Sequence, residues 1–483
     1  MANKKALSLA IVLALTATSV WAADTTTDSK LTKYQQAALV TTQQTVANKI
    51  ATDEVIGDKV SLTLPHTVEL ALINNRDVRQ AGWAYEAAKA KVSVAAAAKN
   101  PTIGYGYSGS RTTADSSHVT AAGHGISIEV PIYTGGKVES AIDAARYSRE
   151  GFNAALEVQR QTTKLDAAKG YFGLIQARNK VDVANQTIKD YDSQLTNVNQ
   201  QYNVGLVAKS DVLAAQTAVA NAQTELVTAQ NSANLAEAKL NNLIALPVNT
   251  SVETADAMLG YTPYNVSLEE AQAYAMLHRA ELVQSTMAVK AAEEQIKSAK
   301  AGYMPKLSAK ASQDWKGSDW DGTDNNSWTI SANVAWSLWD GGATSEGIKV
   351  AEADLEQAKE ANYQAVDSVN LSVREAYLNM KAAEQTIQST RVAVEQGQEN
   401  FRIASLRYRA GVGTNVDVLD AETKLTTARN NYVDALFNYN IAVASLETAM
   451  GVPLDTPIGG AAPLVNEANA SQTLATLVAT ATK

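Results

Sequence analysis

Two carboxylates three residues apart, Asp417 and Asp420, lie in the stretch YRAGVGTNVDVLDAE (408–422), where a glycine-containing turn precedes a helical pattern. Side chains at that spacing share one face of a helix, so the pair concentrates negative charge that would attract cations. Asp417 also suits the first turn of the helix, favourable for the dipole, with Thr414 or Asn415 as its cap. Neither role is catalysis, and the rest of the inventory argues against an enzyme. The chain has 4 histidines and no cysteine. His66, His118, His124 and His278 stand in different segments without the spacing of metal ligands, and no nucleophile–base–acid constellation is evident. The motifs GxGxxG and GxxxxGK[ST] are absent, and the glycine pairs Gly135–Gly136 and Gly341–Gly342 are not followed by Lys–Ser/Thr, so no phosphate-binding loop is expected. A net charge of -9 disfavours a nucleic-acid face. No cofactor is expected.

The carboxylates need a scaffold, and the chain begins with a clue to its location. Lys4 and Lys5 precede an apolar run from Ala6 to Leu15 and a small-residue site around Ala22, the order of a secretory signal peptide over 1–22. No other segment reaches the ~20 apolar residues of a membrane-spanning helix. Any membrane insertion of the mature chain must then use strands closed into a barrel, because every backbone amide and carbonyl needs a partner in lipid.

The remainder reads as a duplication. PIYTGG (131–136) matches SLWDGG (337–342), and AAKGYFGLIQA (167–177) matches VREAYLNMKAA (373–383). QYNVGLVAKSDVL (201–213) matches RYRAGVGTNVDVL (407–419) at the same separation of 206 residues. A constant register over such landmarks marks two repeats, placed at 62–247 and 266–453. A linker lies between them at 248–265, an N-terminal extension covers 23–61 and a tail covers 454–483. Each repeat predicts a helix, two strands, a very long helix, a tight turn and a further helix.

Alternation of period two marks the strands at 101–109, 125–132, 305–315 and 327–338, with Ile103, Tyr105 and Tyr107 on one face of the first and Lys306 and Lys310 on the polar face of the third. Trp315, Trp320, Trp328, Trp336 and Trp339 all fall in the second hairpin. Tyr105, Tyr107, Trp315, Trp328, Trp336 and Trp339 suit a membrane interface, where an apolar ring and a polar tip are both accommodated. Four strands cannot close a barrel, since small outer-membrane barrels start at about eight, so several copies must contribute, two or three being equally compatible with the pattern. Beyond each glycine pair a helical pattern runs without proline to Tyr202 and to Tyr408, about 100 Å at 1.5 Å per residue. Shorter helices over 65–98 and 211–245 would stack end to end beside the first, and 268–302 begins the second set.

The glycine pairs and the paired motifs YNVGLVAKSDVL and YRAGVGTNVDVLDAE together resemble the TolC family of outer-membrane efflux proteins over about 62–453. The resemblance implies a mixed membrane protein: a homotrimer whose four strands per protomer form a 12-stranded transmembrane β-barrel in outer-membrane lipid, continued by a periplasmic α-helical barrel. It implies a passive exit duct joined by a periplasmic adaptor protein to an inner-membrane transporter, serving small molecules such as drugs or, alternatively, type I protein secretion. It further implies that Tyr202, Gly205, Leu206, Gly411, Val412 and Gly413 form tip turns that meet the adaptor, and that Asp417 and Asp420 ring the entrance. Asp211 and Tyr408 match members of the latch that closes the family's entrance. Gly413 stands where the family has the latch arginine, so Lys209 or Arg409 is expected to replace it.

Overall fold

The computed structural model describes residues 55–56, 59–114 and 117–459. The segment read as a signal peptide, most of the extension and the tail beyond 459 lie outside the described residues. The chain divides into two compact units. The smaller contains strands β1 (Val55–Ile56), β2 (Lys59–Leu62) and β5 (Ser251–Thr254) in the order β1-β2-β5, with β2 and β5 parallel. The stretch read as a linker therefore carries a strand, and its partner comes from the extension.

The larger unit begins with helices α1 (Leu64–Asn74) and α2 (Arg76–Ala97), strands β3 (Thr102–Ala114) and β4 (Ser117–Tyr133), and helices α3 (Lys137–Asn203) and α4 (Lys209–Leu243). The same order recurs in α5 (Leu268–His278), α6 (Ala280–Lys300), β6 (Lys306–Gly317), β7 (Asn325–Ala335), α7 (Ala343–Arg409) and α8 (Asn415–Met450). Both long helices have 67 residues, about 100 Å at the α-helical rise.

The helices expected over 65–98 and 268–302 are each broken in two. Asn75 leaves the helix with ψ 134 and its side chain accepts from the N–H groups of Asp77 and Val78, capping α2. Arg279 takes ψ 122 at the equivalent break. Its guanidinium donates to the Thr448 carbonyl at 2.6 Å and to Glu281 at 2.7 Å. Arginine is a good helix former, so tertiary contacts with α8 decide this break. Ser267 and Glu270 form a reciprocal capping box at the start of α5, and Thr63 caps α1.

Strands β3, β4, β6 and β7 form one antiparallel sheet in that order. The pairing of β4 with β6 joins the two repeats edge to edge in this sheet. Ile103, Ile128, Ala311 and Ile330 lie in one cross-strand row, and Tyr105, Ile126, Gln313 and Trp328 in the next. On the opposite face Gly104, Ser127, Ser312 and Thr329 line up, followed by Thr102, Glu129, Lys310 and Ser331. Directly opposed side chains share a face, so the sheet has one largely apolar surface and one polar surface. Ile103, Tyr105, Trp328 and Ile330 are all exposed. The last strand ends at Ala335 instead of continuing to 338. Trp336 instead donates its indole N–H to the Tyr303 carbonyl at 3.0 Å, and Trp339 remains exposed beside the following turn. Trp315 stacks on His124 with centroids 5.1 Å apart, and Tyr107 donates its hydroxyl to the Trp320 carbonyl.

The glycine pairs turn strand into helix. Gly135 and Gly136 have φ of 70 and 87, and Gly341 and Gly342 have 71 and 90, a left-handed region costly for other residues. Asp340 accepts from the Gly342 and Thr344 N–H groups, closing the start of α7. Near the middle of α3 the chain following α8 is tied down. Buried Lys164 donates to the carbonyls of Pro453 at 3.1 Å and Thr456 at 2.8 Å, while Glu447 accepts from the Gly459 N–H. Burial pushes the Lys164 ammonium below the usual lysine range, against the pull of Glu447 and Asp455.

The glycine pairs are not equivalent to substitution. A Cβ on Gly135 would stand 2.6 Å from Met304 Cβ, whereas one on Gly136 meets nothing within 4 Å. G136A should cost about 1 kcal/mol from backbone strain alone, and G135A clearly more, as read from thermal unfolding of the two purified variants; equal losses would contradict the packing at Gly135.

Candidate functional site at the helical tips

Both long helices end in the same hydrogen-bonded turn. Gly205 has φ 76, its N–H donates to the Tyr202 carbonyl, and the Leu206 N–H donates to Gln201. Gly411 has φ 75, with Gly411 N–H on Tyr408 and Val412 N–H on Arg407. This pair of bonds is a Schellman motif, which satisfies carbonyls left over at a helix end. The turns differ two residues later. Val207 packs partly buried in the tip core, whereas a Cβ on Gly413 would lie 3.1 Å from the Tyr408 nitrogen and 3.2 Å from the Arg407 carbonyl carbon. Gly413 thus lies tight against the last turn of α7, in a space with little room for a side chain.

The following helices start differently too. Ala208 precedes α4 without a side-chain cap. Before α8, Thr414 Oγ1 accepts from the Asp417 N–H at 3.2 Å while the Asp417 carboxylate accepts from the Thr414 N–H at 3.0 Å. Thr414, not Asn415, is the cap. The Thr414 backbone N–H and then its hydroxyl hold the Asp417 carboxyl below the usual carboxylate range, so it stays ionised at neutral pH. Asp420 is also exposed and pairs with Lys424 at 2.7 Å. Such an exposed pair contributes little to stability, but it partly offsets the Asp420 charge locally.

Asn415 has another task. It is buried, its amide donates to the Asp211 carbonyl at 3.1 Å, and its oxygen accepts from Gln194 at 2.9 Å. One side chain therefore ties α3, the start of α4 and the start of α8 together. The sequence signal for Asn415 was ambiguous with capping, and Gln194 carried none, because a glutamine on a long helix looks like a solvated position until its neighbour is known.

Beneath these ties lies an apolar core of Val198, Val212, Ala215, Tyr408 and Val418, with Leu195, Val207, Phe401 and Ala404 around it. The Tyr408 hydroxyl is buried without a hydrogen-bond partner. Burial, then the nearby Asp211 charge, pushes it above the usual tyrosine range. The four residues considered as a latch do not form one cluster within the protomer. Asp211 and Tyr408 are neighbours, Lys209 lies over the Tyr202 ring at 5.3 Å, and Arg409 donates to Ser405 in its own helix. Outside, Val204, Leu206, Val412 and Val416 are all exposed, leaving an apolar rim on both turns.

An amphipathic antiparallel sheet on 67-residue helices, with glycine turns and carboxylates at the far tips, defines the protomer of an outer-membrane channel with a periplasmic extension. The model of the family described as "Outer membrane efflux protein" matches residues 67–246 and again 273–452, and the chain belongs to that family. It is 25% identical to the outer membrane protein TolC of Escherichia coli over 411 residues, covering 80% of this chain and 82% of that protein. It is 23% identical to the cation efflux system protein CusC of Escherichia coli, over 79% and 84% of the two chains. The open-state structure of the outer membrane channel MtrE from Neisseria gonorrhoeae superposes with a TM-score of 0.69 at 19% identity, covering 82% of this chain and 90% of that one. The protein is accordingly an outer-membrane efflux duct, a passive conduit.

Tyr408 offers a direct test of its part in the tip. Because its hydroxyl is an unpaired buried donor, Y408F should leave thermal stability unchanged or raise it by up to about 1 kcal/mol, while Y408A should cost about 3–5 kcal/mol through the cavity it leaves. A large loss in Y408F would mean that the hydroxyl makes a bond essential to the folded tip.

Proposed function

We propose that three copies of this chain close a 12-stranded barrel in the outer membrane and a continuous helical tube beneath it. The tube would serve as the passive exit of a tripartite efflux system, receiving small molecules from an inner-membrane transporter through a periplasmic adaptor. The observation that carries this reading is the sheet. Its four strands present one apolar and one polar face in register, and its edges β3 and β7 are free within the protomer. Edge amides and carbonyls exposed to lipid cost several kcal/mol each, so pairing β7 of one copy with β3 of the next satisfies both. Tyr105, Tyr107, Trp315, Trp328, Trp336 and Trp339 then belong to the membrane-facing surface and its interfaces, where an apolar ring and a polar tip are both accommodated; the tips of Tyr107 and Trp336 are already held by backbone carbonyls. The near-constant offset between matching motifs supports descent from a duplicated ancestor, with the repeats serving as successive wall segments.

At the other pole, three-fold symmetry would turn Asp417 and Asp420 into two stacked carboxylate rings that draw cations into the entrance. Asp417 is held ionised by its capping box, which suits that role. The exposed rim around Tyr202, Gly205, Leu206, Gly411, Val412 and Gly413 would receive the adaptor, with apolar side chains supplying the buried contact. Asp211, Lys209 and Arg409 would contact a neighbouring protomer to hold the entrance shut, and Tyr408, buried in the tip core, would join them only once the tip rearranges.

Two measurements test this. In planar bilayers, changing Asp417 and Asp420 together to alanine should abolish cation preference and block by divalent cations; unaltered selectivity would remove the rings. The natural absence of cysteine allows V412C to be crosslinked in intact cells. Its side chain is exposed, unlike a side chain built at Gly413. Capture of a periplasmic adaptor belonging to a drug pump is expected, whereas capture of a secretion-system adaptor would redirect the reading to protein export.

A further inference from the structure

Above the tip core, helix α8 meets α3 along a seam made of polar side chains. Thr187 and Thr426 hydroxyls are 2.7 Å apart, Tyr191 and Thr423 hydroxyls 3.1 Å apart, and Arg429 lies 3.3 Å from the Asp190 carboxylate. In the middle of this seam Glu422 is 0% exposed. One of its oxygens accepts from Thr426 at 3.2 Å and lies 3.8 Å from Arg429. The other is buried with no donor directed at it.

The charges do not balance. Asp190 and Glu422 are two carboxyls served by the single guanidinium of Arg429, and Asp190 already accepts from Gln186 at 2.9 Å. From α3, Tyr191 is within the field of Glu422, as is Glu225 of α4 within that of Tyr191, and both add only acidic groups. From α7, Gly397 packs on Leu425, an apolar contact. A second buried negative charge is expensive unless it is paired. A proton on the otherwise unpaired Glu422 oxygen removes that charge and supplies a donor for Asp190.

We infer that Glu422 and Asp190 share a proton that fastens α8 to α3, so that loss of this proton to solvent loosens the seam and favours separation of the two helical hairpins at the entrance. Burial, then the charge of Asp190, pushes the Glu422 carboxyl up to about 8, against the opposing pull of Arg429 and Thr426. The sign follows from linkage. The fastened seam holds a proton that a solvated glutamate, with its ordinary value of 4.5, has already lost. Its advantage is therefore complete below about pH 4.5, declines as pH rises towards 8 and is flat above that.

The conductance arm of the test rests on the duct reading, but the stability arm does not need a channel. Purified full-length protein is followed by thermal unfolding and in planar bilayers from pH 5.5 to 9. Wild type is expected to lose thermal stability, and to gain about tenfold or more in open probability, as pH rises to 8, with little change beyond; about one pH unit of linkage suffices for tenfold. E422Q should be closed at every pH, and its stability profile should lose the part of the slope that Glu422 supplies towards pH 8, keeping only the part from other groups such as buried Glu447, which burial pushes up to about 7. D190N should keep the response but move its midpoint to lower pH, since Glu422 then faces Arg429 without a competing carboxylate. A flat wild-type stability profile, or an E422Q variant that keeps the wild-type slope, overturns the proposal. If E422Q fails to fold, D190N decides it: an unmoved or alkaline-shifted midpoint rules the shared proton out. A pH-dependent melting profile without any conductance would instead leave the proton switch standing and count against the duct.

Discussion

The need to satisfy backbone hydrogen bonds where water is absent organises this protein. An antiparallel sheet of β3, β4, β6 and β7 pairs its inner strands completely and leaves two edges. In water, such edges can bind solvent; in hydrocarbon they cannot. The alternation of the strands is thus only half of a membrane signal. The other half is the register, which places Ile103, Ile128, Ala311 and Ile330 in one row and Thr102, Glu129, Lys310 and Ser331 in a row on the other face. One apolar and one polar face follow, and a single copy leaves the sheet open at β3 and β7.

The helices carry the same economy through the periplasm. Two 67-residue helices continue from the sheet across glycine pairs at positive φ, and each is accompanied by shorter helices laid along it. No helix among the described residues is long and apolar enough to cross a membrane. Their mixed surfaces fit elements that meet partners on one side and water on others. Where the repeats meet within a protomer, α3 and α8 are joined by hydroxyls, amides and an ion pair, not by apolar side chains alone. Such contacts hold one geometry when satisfied and tolerate separation because each group can turn to water.

The two repeats have also diverged at their helical tips. Thr414 and Asp417 cap α8 reciprocally, while α4 begins without a side-chain cap. Gly413 lies against the end of α7 where the other turn has Val207. Buried Asn415 reaches across to the Asp211 carbonyl. A protomer with two similar tips thereby acquires two chemically distinct ones, and only the second carries the Asp417–Asp420 pair.

Local rules fixed much of this from the sequence. Helix length followed from uninterrupted propensity, strand faces from period two, and the tip turns from glycine after a long helix, because each depends on residues near one another in the chain. The capping box at Ser267 belongs to the same class, whereas the choice between Thr414 and Asn415 as the cap of the last helix was open in the sequence and was decided by the buried contacts of Asn415. Tertiary structure decided what depends on residues far apart. It broke a helix at Arg279 through a carbonyl 169 residues away, and ended β7 at Ala335 while Trp336 turned to Tyr303. It also buried Glu422 beside Asp190, although on a helical wheel that glutamate is one more acidic residue, because the cost of a charge depends on what surrounds it and not on its place in the chain.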